Sequence, residues 1–178
     1  MKEIRLDGFT EALAKSSNIV ITNHTNPDGD AMGSALALAH VLKGLGKNVS
    51  VIVPNPYPKF LWYLQGNDAV MIYSNGKKFA NRKIAEADML FHLDYNAYGR
   101  AADMEEALRN ATGKKVMIDH HQQPEDWPDF MYSDTSMSST CQMIYEFCEI
   151  YDWTEHLDKG SAECLYTCLL YTSDAADD

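Results

Sequence analysis

Residues 18–34 constrain the fold more than any other part of the chain, because they join an apolar run, a polar loop and an apolar helix. The β-branched run at 19–21 predicts a buried strand. Pro27 and Gly29 then favour a turn. A helix rich in alanine and leucine is predicted from Ala31. A strand that leads directly into a helix is the unit from which parallel α/β sheets are built.

The loop between this strand and helix carries three side chains that can bind a metal, His24, Asp28 and Asp30. In open α/β sheets, ligands bind where a strand delivers such a loop. Both aspartates also have ordinary uses in turns and caps, and Asp30 is placed to cap the helix. For an isolated Asp-Gly-Asp sequence, the turn-and-cap interpretation is favoured.

Two known ion- and phosphate-binding motifs do not account for this loop. Counted from Asp28, an EF-hand needs a ligand at the fifth position and a glutamate at the twelfth, where the chain has Met32 and Ala39. A P-loop needs a lysine before its serine or threonine, and the pair Gly33-Ser34 lacks one.

The charge of the chain excludes one broad class of partner. With 15 basic and 26 acidic residues the net charge is −11, so a wide basic surface for long duplex nucleic acid is not expected. A substrate that carries phosphate would need a local cation, which a bound divalent metal supplies. The sequence has no run long enough to span a membrane and no signal-peptide pattern, so no membrane partner is expected.

The cysteines indicate a reducing compartment. All four lie in predicted helices, and no two form a Cys-x-x-Cys pair. We therefore expect packed thiols in a cytoplasmic protein, without bridges or metal-bound sulfur. These residues are Cys141, Cys148, Cys164 and Cys168.

Strands and helices alternate along the rest of the chain, which at 178 residues can bury one substantial core. We predict an α/β fold with a parallel, Rossmann-like sheet and helices on both faces. Further strands are predicted at 49–53, 69–73, 88–94 and 114–118. Helices or helical turns are predicted at 3–15, 31–45, 60–64, 77–85, 102–111, 138–151 and 158–170. The helix at 138–151 is expected to be amphipathic, with one face formed by Cys141, Ile144, Tyr145 and Cys148.

Three of the predicted strands end in the same kind of polar cluster. Because the carboxyl ends of parallel strands share one edge of a sheet, these side chains can converge there. Carboxylates mixed with imidazoles suit divalent ions such as Mn²⁺, and five or more ligands suit two ions. The clusters are His24, Asp28 and Asp30; Asp94; and Asp119, His120 and His121.

Several members of this set have simpler interpretations when taken alone. Asp94 could be an ordinary acid at a strand end, and His92, two residues earlier on the same side of the strand, is expected in the core or behind a ligand. Two other histidines, His40 and His156, are expected to be structural or exposed. The adjacent His120 and His121 would face opposite sides of a continuing strand, so one ligand and one substrate contact is the simpler assignment.

Taken together, the motifs resemble those of the DHH phosphoesterase superfamily, and the spacing is most similar to its nano-RNase/pAp phosphatase branch. The resemblance rests on His-x-Asn-Pro-Asp-Gly-Asp-Ala-x-Gly-Ser at 24–34, on Asp94, on Asp-His-His at 119–121 and on Ser-Ser-Thr at 138–140. It covers residues 1–168.

This resemblance implies a role for each matching residue. Two Mn²⁺ ions, or Mg²⁺ or other divalent ions, would be held by His24, Asp28 and Asp94, and by Asp30, Asp94 and His120, with Asp94 shared. Among the remaining residues, Asp119 would orient a ligand, and His121 would contact the scissile phosphate. Arg100, Ser138 and Ser139 are further candidates for phosphate contacts.

The implied activity is hydrolysis of short oligonucleotides and of 3′-phosphoadenosine 5′-phosphate, with a homodimer left open. Other branches of the superfamily cleave cyclic dinucleotides or other phosphate esters, and the metal residues do not separate the branches. A non-catalytic module that binds metal or nucleotide is a rival of a different class. A purely structural domain is disfavoured, because three acidic strand ends would repel one another without compensation.

The end of the chain departs from the family pattern. Members of the family continue after Leu-Tyr-Thr (residues 165–167 here) into Thr-Asp-Thr-Gly, whose aspartate would fall at Thr172, and Asp174 is out of register. The smaller C-terminal DHHA1 domain is also absent. We therefore expect residues 1–168 to be an incomplete DHH catalytic domain and residues 169–178 to be a non-native tail.

Overall fold

The computed structural model describes residues 2–171, with side chains for residues 2–168. Within this range the chain forms seven strands and six α-helices. The strands are β1 (Lys2–Arg5), β2 (Asn18–Thr22), β3 (Asn48–Val53), β4 (Met71–Ile72), β5 (Met89–Leu93), β6 (Lys114–Asp119) and β7 (Phe130–Asp134). The helices are α1 (Phe9–Lys15), α2 (Gly29–Gly44), α3 (Lys77–Ala85), α4 (Glu105–Asn110), α5 (Thr140–Ile150) and α6 (Lys159–Tyr171).

The seven strands form one sheet in the order β1-β7-β6-β5-β2-β3-β4. The pairs β2–β3, β2–β5, β3–β4, β5–β6 and β6–β7 are parallel, and β1 pairs antiparallel with β7 at one edge. The predicted α/β fold with a mostly parallel sheet is confirmed.

The sheet separates two apolar cores, so helices cover both of its faces as predicted. Successive side chains of β2 alternate between the cores, with Ile19 and Ile21 in one and Val20 in the other. The first core also holds the apolar faces of α2, α5 and α6. The second holds Ile84 of α3 and Leu108 of α4.

The N-terminal segment corrects the predicted helix at 3–15. Only Phe9–Lys15 is helical, and Lys2–Arg5 forms β1. The sequence Lys-Glu-Ile-Arg has no strand-like alternation, and it becomes a strand because it pairs with β7, which is buried throughout and was not predicted either. Tertiary pairing thus overrides a weak local pattern at this edge of the sheet.

The predicted helix at 102–111 is wrong over its first part. Tyr98–Met104 forms a 3₁₀ segment, and the α-helix begins at Glu105. Ala102 has φ +50°, a value that a right-handed helix does not contain.

Three other predictions need smaller adjustments. The strand expected at 69–73 is reduced to the two residues of β4, and the helical turn expected at 60–64 is a 3₁₀ segment at Lys59–Tyr63. In α5, Tyr145 does not share the buried face, because it is 45% exposed.

The four cysteines are buried and unbridged, as predicted. In the part of the chain that the structure describes, no helix is long and apolar enough to cross a membrane. The predicted boundary at residue 168 falls inside α6, and residues 172–178 of the expected tail lie outside the described residues.

Helix α2 approaches α6 so closely that one position admits only glycine. A Cβ atom on Gly33 would lie 2.4 Å from the carbonyl oxygen of Cys164 and 3.0 Å from Cys141 Sγ. Because the nearer atom belongs to the backbone, relief would require α6 to move away from α2.

We expect Gly33→Ala to lower the free energy of unfolding by about 1–3 kcal/mol, as overpacking of a tight core does. Alanine for glycine in an unconstrained helix is favourable by about 1 kcal/mol, so the sign separates close packing from helix propensity. Urea denaturation measures the change. The control is Gly76→Ala, where an added Cβ has no neighbour within 4 Å. A stabilised Gly33→Ala protein would contradict the close α2–α6 contact.

Candidate metal centre

The three polar clusters meet at the carboxyl ends of three neighbouring strands. β5 lies between β2 and β6, and all three are parallel. Their C-terminal ends therefore share one edge of the sheet, which is where ligands of open α/β sheets bind. The residues brought together there are His24, Asp28, Asp30, Asp94, Asp119, His120 and His121.

The helix that follows β2 is capped by Asp28, so the prediction that Asp30 caps it is wrong. The Oδ1 atom of Asp28 accepts hydrogen bonds from the backbone N–H groups of Asp30 and Ala31, both at 3.0 Å. Asp28 immediately precedes the first residue of α2, so its side chain can reach these two N–H groups, whereas Asp30 already lies inside the helix.

Asp30 lies within the first turn of α2 and is 5% exposed. Its two carboxylate oxygens accept hydrogen bonds from the backbone N–H groups of Thr140 and Cys141, both at 2.8 Å. These are unpaired donors at the start of α5, which attract negative charge. A single carboxylate thus joins the first turns of two helices.

His24 and Asp94 form the first half of the centre. His24 Nε2 lies 3.3 Å from Asp94 Oδ2 and 3.9 Å from Asp28 Oδ1. The other ring nitrogen, Nδ1, is 2.7 Å from the carbonyl oxygen of Thr25. Because a carbonyl only accepts, Nδ1 carries a proton, so Nε2 faces the carboxylates: it donates to Asp94 when the ring is protonated and offers a lone pair when the ring is neutral.

His120 is arranged in the same way on the other side of Asp94. Its Nε2 lies 3.6 Å from Asp94 Oδ1 and 3.7 Å from Asp30 Oδ2, and its Nδ1 is 3.2 Å from the carbonyl oxygen of Met137. Asp94 therefore presents one carboxylate oxygen to each imidazole. Asp94 is shared by two groups of possible ligand atoms, one with His24 and Asp28 and the other with His120 and His121. The predicted set of Asp30, Asp94 and His120 is not one of these groups, although Asp30 Oδ2 lies 3.7 Å from His120 Nε2.

His121 also reaches this edge, because β6 ends at Asp119 and the chain turns there. The rings of His120 and His121 lie 4.8 Å apart, so they do not take opposite faces of a continuing strand. Asp119 accepts hydrogen bonds from both His121 Nδ1, at 2.7 Å, and His121 N, at 2.9 Å. The residue that Asp119 orients is therefore His121, whose side chain is 39% exposed.

The protonation equilibria of the centre are strongly displaced. Hydrogen bonding to Asp94 raises the pKa of His120 to about 9, against the opposing effect of burial. Burial disfavours charge on both His24 and Asp94, yet their mutual hydrogen bond raises the pKa of His24 and helps hold that of Asp94 well below its usual range. Burial, together with the nearby Asp94 charge, raises the pKa of Asp30 to about 6.

The carboxylates and imidazoles of the centre therefore offset part of one another's charge. Among residues 2–168, no lysine or arginine side chain forms an ion pair with Asp28, Asp30, Asp94 or Asp119, and the ion partners are histidines. Buried carboxylates and inward-facing imidazole lone pairs are the donors that hard divalent cations prefer. The residues present therefore fit such cations.

Two thiols lie beside the centre and form with Asp30 a third group of possible ligand atoms. Cys141 and Cys168 have sulfur atoms close to the Asp30 carboxylate. Burial raises the pKa of the Cys141 thiol well above its ordinary value, so it stays protonated. A protonated thiol is a poor metal ligand.

The residues proposed for phosphate contacts have different environments. Arg100 supports the first loop through its backbone, since its carbonyl oxygen accepts from Thr25 N at 2.7 Å. Ser139 caps α5 by accepting from Gln142 N, and it is only 4% exposed. Ser138 is exposed and donates to the side chain of Gln142. Of the two serines, only Ser138 has an accessible hydroxyl.

Two residues whose side chains help to hold the centre in place were not predicted from the sequence. Thr140 Oγ1 donates to Asp94 Oδ1 at 2.9 Å, and the Ser-Ser-Thr motif was the available signal. Asn55 Oδ1 accepts from Thr25 Oγ1 and Asn26 N, which fastens the loop of β2 to the loop of β3. The position at Thr172, where the family motif has its aspartate, lies outside the described residues.

Comparison with known proteins agrees with this geometry. Residues 18–169 match the family model described as DHH family, N-terminal domain. The bifunctional oligoribonuclease and PAP phosphatase NrnA of Bacillus subtilis is 30% identical over 155 residues, which cover 83% of this chain and 44% of that protein. The cyclic-di-AMP phosphodiesterase GdpP of the same species is 25% identical over 154 residues, which cover 78% of this chain and 22% of that protein.

A solved structure gives the same result for the fold. The crystal structure of an exopolyphosphatase-related protein from Bacteroides fragilis superposes with a TM-score of 0.90 and is 38% identical, covering 94% of this chain and 50% of that one. This chain belongs to the DHH family, as the motifs predicted. It spans less than half the length of the curated relatives described above.

The pKa of His120 sets an expected pH dependence. The unfolded state has a histidine pKa near 6.5 and the folded state about 9, so the His120–Asp94 pair stabilises the metal-free protein fully below pH 6.5. This contribution is lost as the pH rises through 9. A divalent cation bound through His120 Nε2 would have to displace the same proton, so the affinity for a cation such as Mn²⁺ should rise over this range.

Thermal unfolding with and without Mn²⁺, under anaerobic conditions from pH 6.5 to 9, measures both trends. The metal-free midpoint should fall while the increase produced by Mn²⁺ grows. His120→Gln should flatten both curves, whereas His40→Gln, whose ring bonds the distant Gln65 carbonyl, should leave them unchanged. An Mn²⁺ effect independent of pH would refute displacement of the His120 proton.

Proposed function

We propose that this chain is the catalytic, metal-binding part of a DHH phosphoesterase that hydrolyses short oligonucleotides and 3′-phosphoadenosine 5′-phosphate. The observation that carries the proposal is the position of Asp94, with one carboxylate oxygen 3.3 Å from His24 Nε2 and the other 3.6 Å from His120 Nε2. A carboxylate placed between two sets of donors is what a pair of divalent cations requires.

The proposal assigns two Mn²⁺ ions, or two other divalent cations, to two sets of ligands: His24, Asp28 and Asp94, and Asp30, Asp94 and His120. Both oxygens of Asp30 already accept N–H groups of α5, but each carboxylate oxygen keeps a second lone pair. When bound, such ions lower the pKa of a coordinated water and neutralise phosphoryl oxygens.

In this proposal His121 acts on the substrate and Asp119 positions it. Asp119 accepts a hydrogen bond from His121 Nδ1, which leaves Nε2 of this 39% exposed side chain for the substrate. A protonated Nε2 donates to a non-bridging oxygen of the scissile phosphate and stabilises the charge that develops there. Ser138 and Arg100 are the proposed contacts to a neighbouring phosphate.

The substrate class rests on the relatives and on charge. The name of B. subtilis NrnA assigns it oligoribonucleotides and PAP, and that protein is more similar to this chain than GdpP is. With a net charge of −11, the protein attracts a phosphate only where bound cations reverse the local sign. Small substrates that enter one such centre fit this charge distribution better than a long duplex does.

A second candidate substrate is a cyclic dinucleotide, because GdpP is named as a cyclic-di-AMP phosphodiesterase. Incubation of the chain and Mn²⁺ with 3′-phosphoadenosine 5′-phosphate, a linear diribonucleotide and cyclic di-AMP separates the two candidates. Faster turnover of the first two substrates supports the proposal. Binding of two Mn²⁺ without turnover of any of them would indicate a non-catalytic module.

Asp94→Asn tests whether one carboxylate serves both ions. We expect it to reduce bound Mn²⁺ from two equivalents to less than one at a concentration that saturates the unsubstituted chain, because both sites lose their shared anion. Asp30→Asn should weaken one site only, and excess Mn²⁺ should restore it by mass action. Calorimetry gives the stoichiometry.

The control for these two variants is Asp103→Asn, an exposed carboxylate paired with Lys77. It should bind Mn²⁺ as the unsubstituted chain does. Retention of two equivalents by Asp94→Asn would remove the shared-ligand assignment.

His121→Ala should keep both Mn²⁺ ions and lose about 10²–10³ in kcat, the usual effect of deleting one donor to a developing oxyanion. Asp119→Asn should lose part of the same factor, because it leaves His121 in place but removes the acceptor that orients it. Combining the two substitutions should be no worse than His121→Ala alone. Additive losses would show that Asp119 acts separately from His121.

A further inference from the structure

Two buried residues bond to each other across Asp94 and have no part in the centre described above. His92 and Tyr95 are both fully buried. The Nδ1 atom of His92 lies 2.5 Å from the Tyr95 hydroxyl oxygen. The bond therefore connects the residues on either side of Leu93 and Asp94.

The direction of the Asp94 side chain departs from the regular pattern of a strand. Residues two apart in a strand face the same side of the sheet, so His92 and Asp94 should point together. In the structure the His92 ring packs against Tyr98 and Trp127, with ring centroids 5.7 and 4.6 Å away. The Asp94 carboxylate instead accepts a hydrogen bond from Thr140 at the start of α5.

The backbone at Asp94 produces this change of direction. Asp94 has φ +63°, in the left-handed region that residues with a side chain seldom occupy. Tyr95 consequently enters the second core, beside the His92 ring, and Asp94 turns out to the edge of the sheet. A conformation of this kind persists only where the surroundings hold it.

The hydrogen bonding of His92 points to one use for its polar atoms. Its Nε2 has no hydrogen-bond partner among the described residues. An unpaired buried nitrogen lowers stability, and a phenylalanine ring would fill the same space without that cost. The bond from Nδ1 to Tyr95 is its remaining polar contact.

We propose that the His92–Tyr95 hydrogen bond is a clasp that fixes the left-handed turn at Asp94 and thereby positions the carboxylate shared by the two metal-ligand sets. His92 and Tyr95 are positioning residues, and neither touches metal or substrate. The proposal rests on the proposed metal-binding function of the centre. It predicts that metal affinity depends on a bond formed in the core behind the site.

Tyr95→Phe removes one partner of the clasp and keeps the ring. Tyr73→Phe is the matched control, because Tyr73 is buried in the same core and its hydroxyl donates to Asn81 at 2.7 Å, with no contact to a candidate ligand. Each variant loses one hydrogen bond of a tyrosine hydroxyl, but the Tyr73 bond is only partly buried, so Tyr73→Phe should lose no more stability in urea denaturation than Tyr95→Phe does. Only Tyr95→Phe should weaken Mn²⁺ binding, by about tenfold, the low end of the range for groups that orient ligands.

His92→Phe separates positioning from stability. It keeps the aromatic contacts and removes the unpaired Nε2, which offsets part of the cost of leaving the Tyr95 hydroxyl without its His92 partner, so it should lose less stability than Tyr95→Phe does. Its Mn²⁺ affinity should nevertheless fall by about tenfold. The double variant with Tyr95→Phe should bind no more weakly than either single variant, because one bond is lost in each case.

Calorimetry with Mn²⁺, supported by electron paramagnetic resonance of the bound ions, distinguishes the outcomes. If the unsubstituted chain binds no Mn²⁺, the proposed function fails. If it binds Mn²⁺ and both Tyr95→Phe and His92→Phe bind with unchanged affinity, the clasp is wrong and the proposed function stands. If affinity follows stability across all the variants, including Tyr73→Phe, the bond is merely structural and the clasp is again wrong.

Discussion

The burial of several carboxylates at one edge of the sheet is the constraint on which the rest of the structure depends. Asp30, Asp94 and Asp119 are at most 5% exposed. A buried charge is tolerated only when it is paired and hydrogen-bonded. Each carboxylate meets this requirement differently: Asp30 through the first N–H groups of α5, Asp94 through two imidazoles and a hydroxyl, and Asp119 through His121.

These solutions explain why the surrounding elements lie where they do. The first turns of α2 and α5 meet because both are bonded through Asp30, and the missing side chain at Gly33 lets α6 close against α2. The loops after β2 and β3 are joined through Asn55. The fold thus places its unpaired helix donors, imidazoles and acids at one edge of the sheet, where a divalent cation could replace the protons that the imidazoles carry.

Much of this arrangement was predictable, and the failures have identifiable physical causes. The strand before His24 and the strand before the Asp-His-His triplet were recognised because their apolar runs are continuous, as buried parallel strands require. β1 was not recognised, because its charged sequence becomes a strand only by pairing with β7. The cap of α2 was assigned to Asp30, since spacing alone does not tell which of two acids faces its own helix and which faces another.

The sequence by itself determined the α/β class, the family and the set of side chains at the centre. These follow from apolar periodicity and from motifs that are contiguous along the chain. Only the tertiary structure decided what each of those side chains contacts. The donors that hold Asp30 come from a helix 110 residues later, and the Asp94 carboxylate accepts a hydrogen bond from the same helix. Such contacts form between segments that are distant in the chain, and a local pattern carries no information about them.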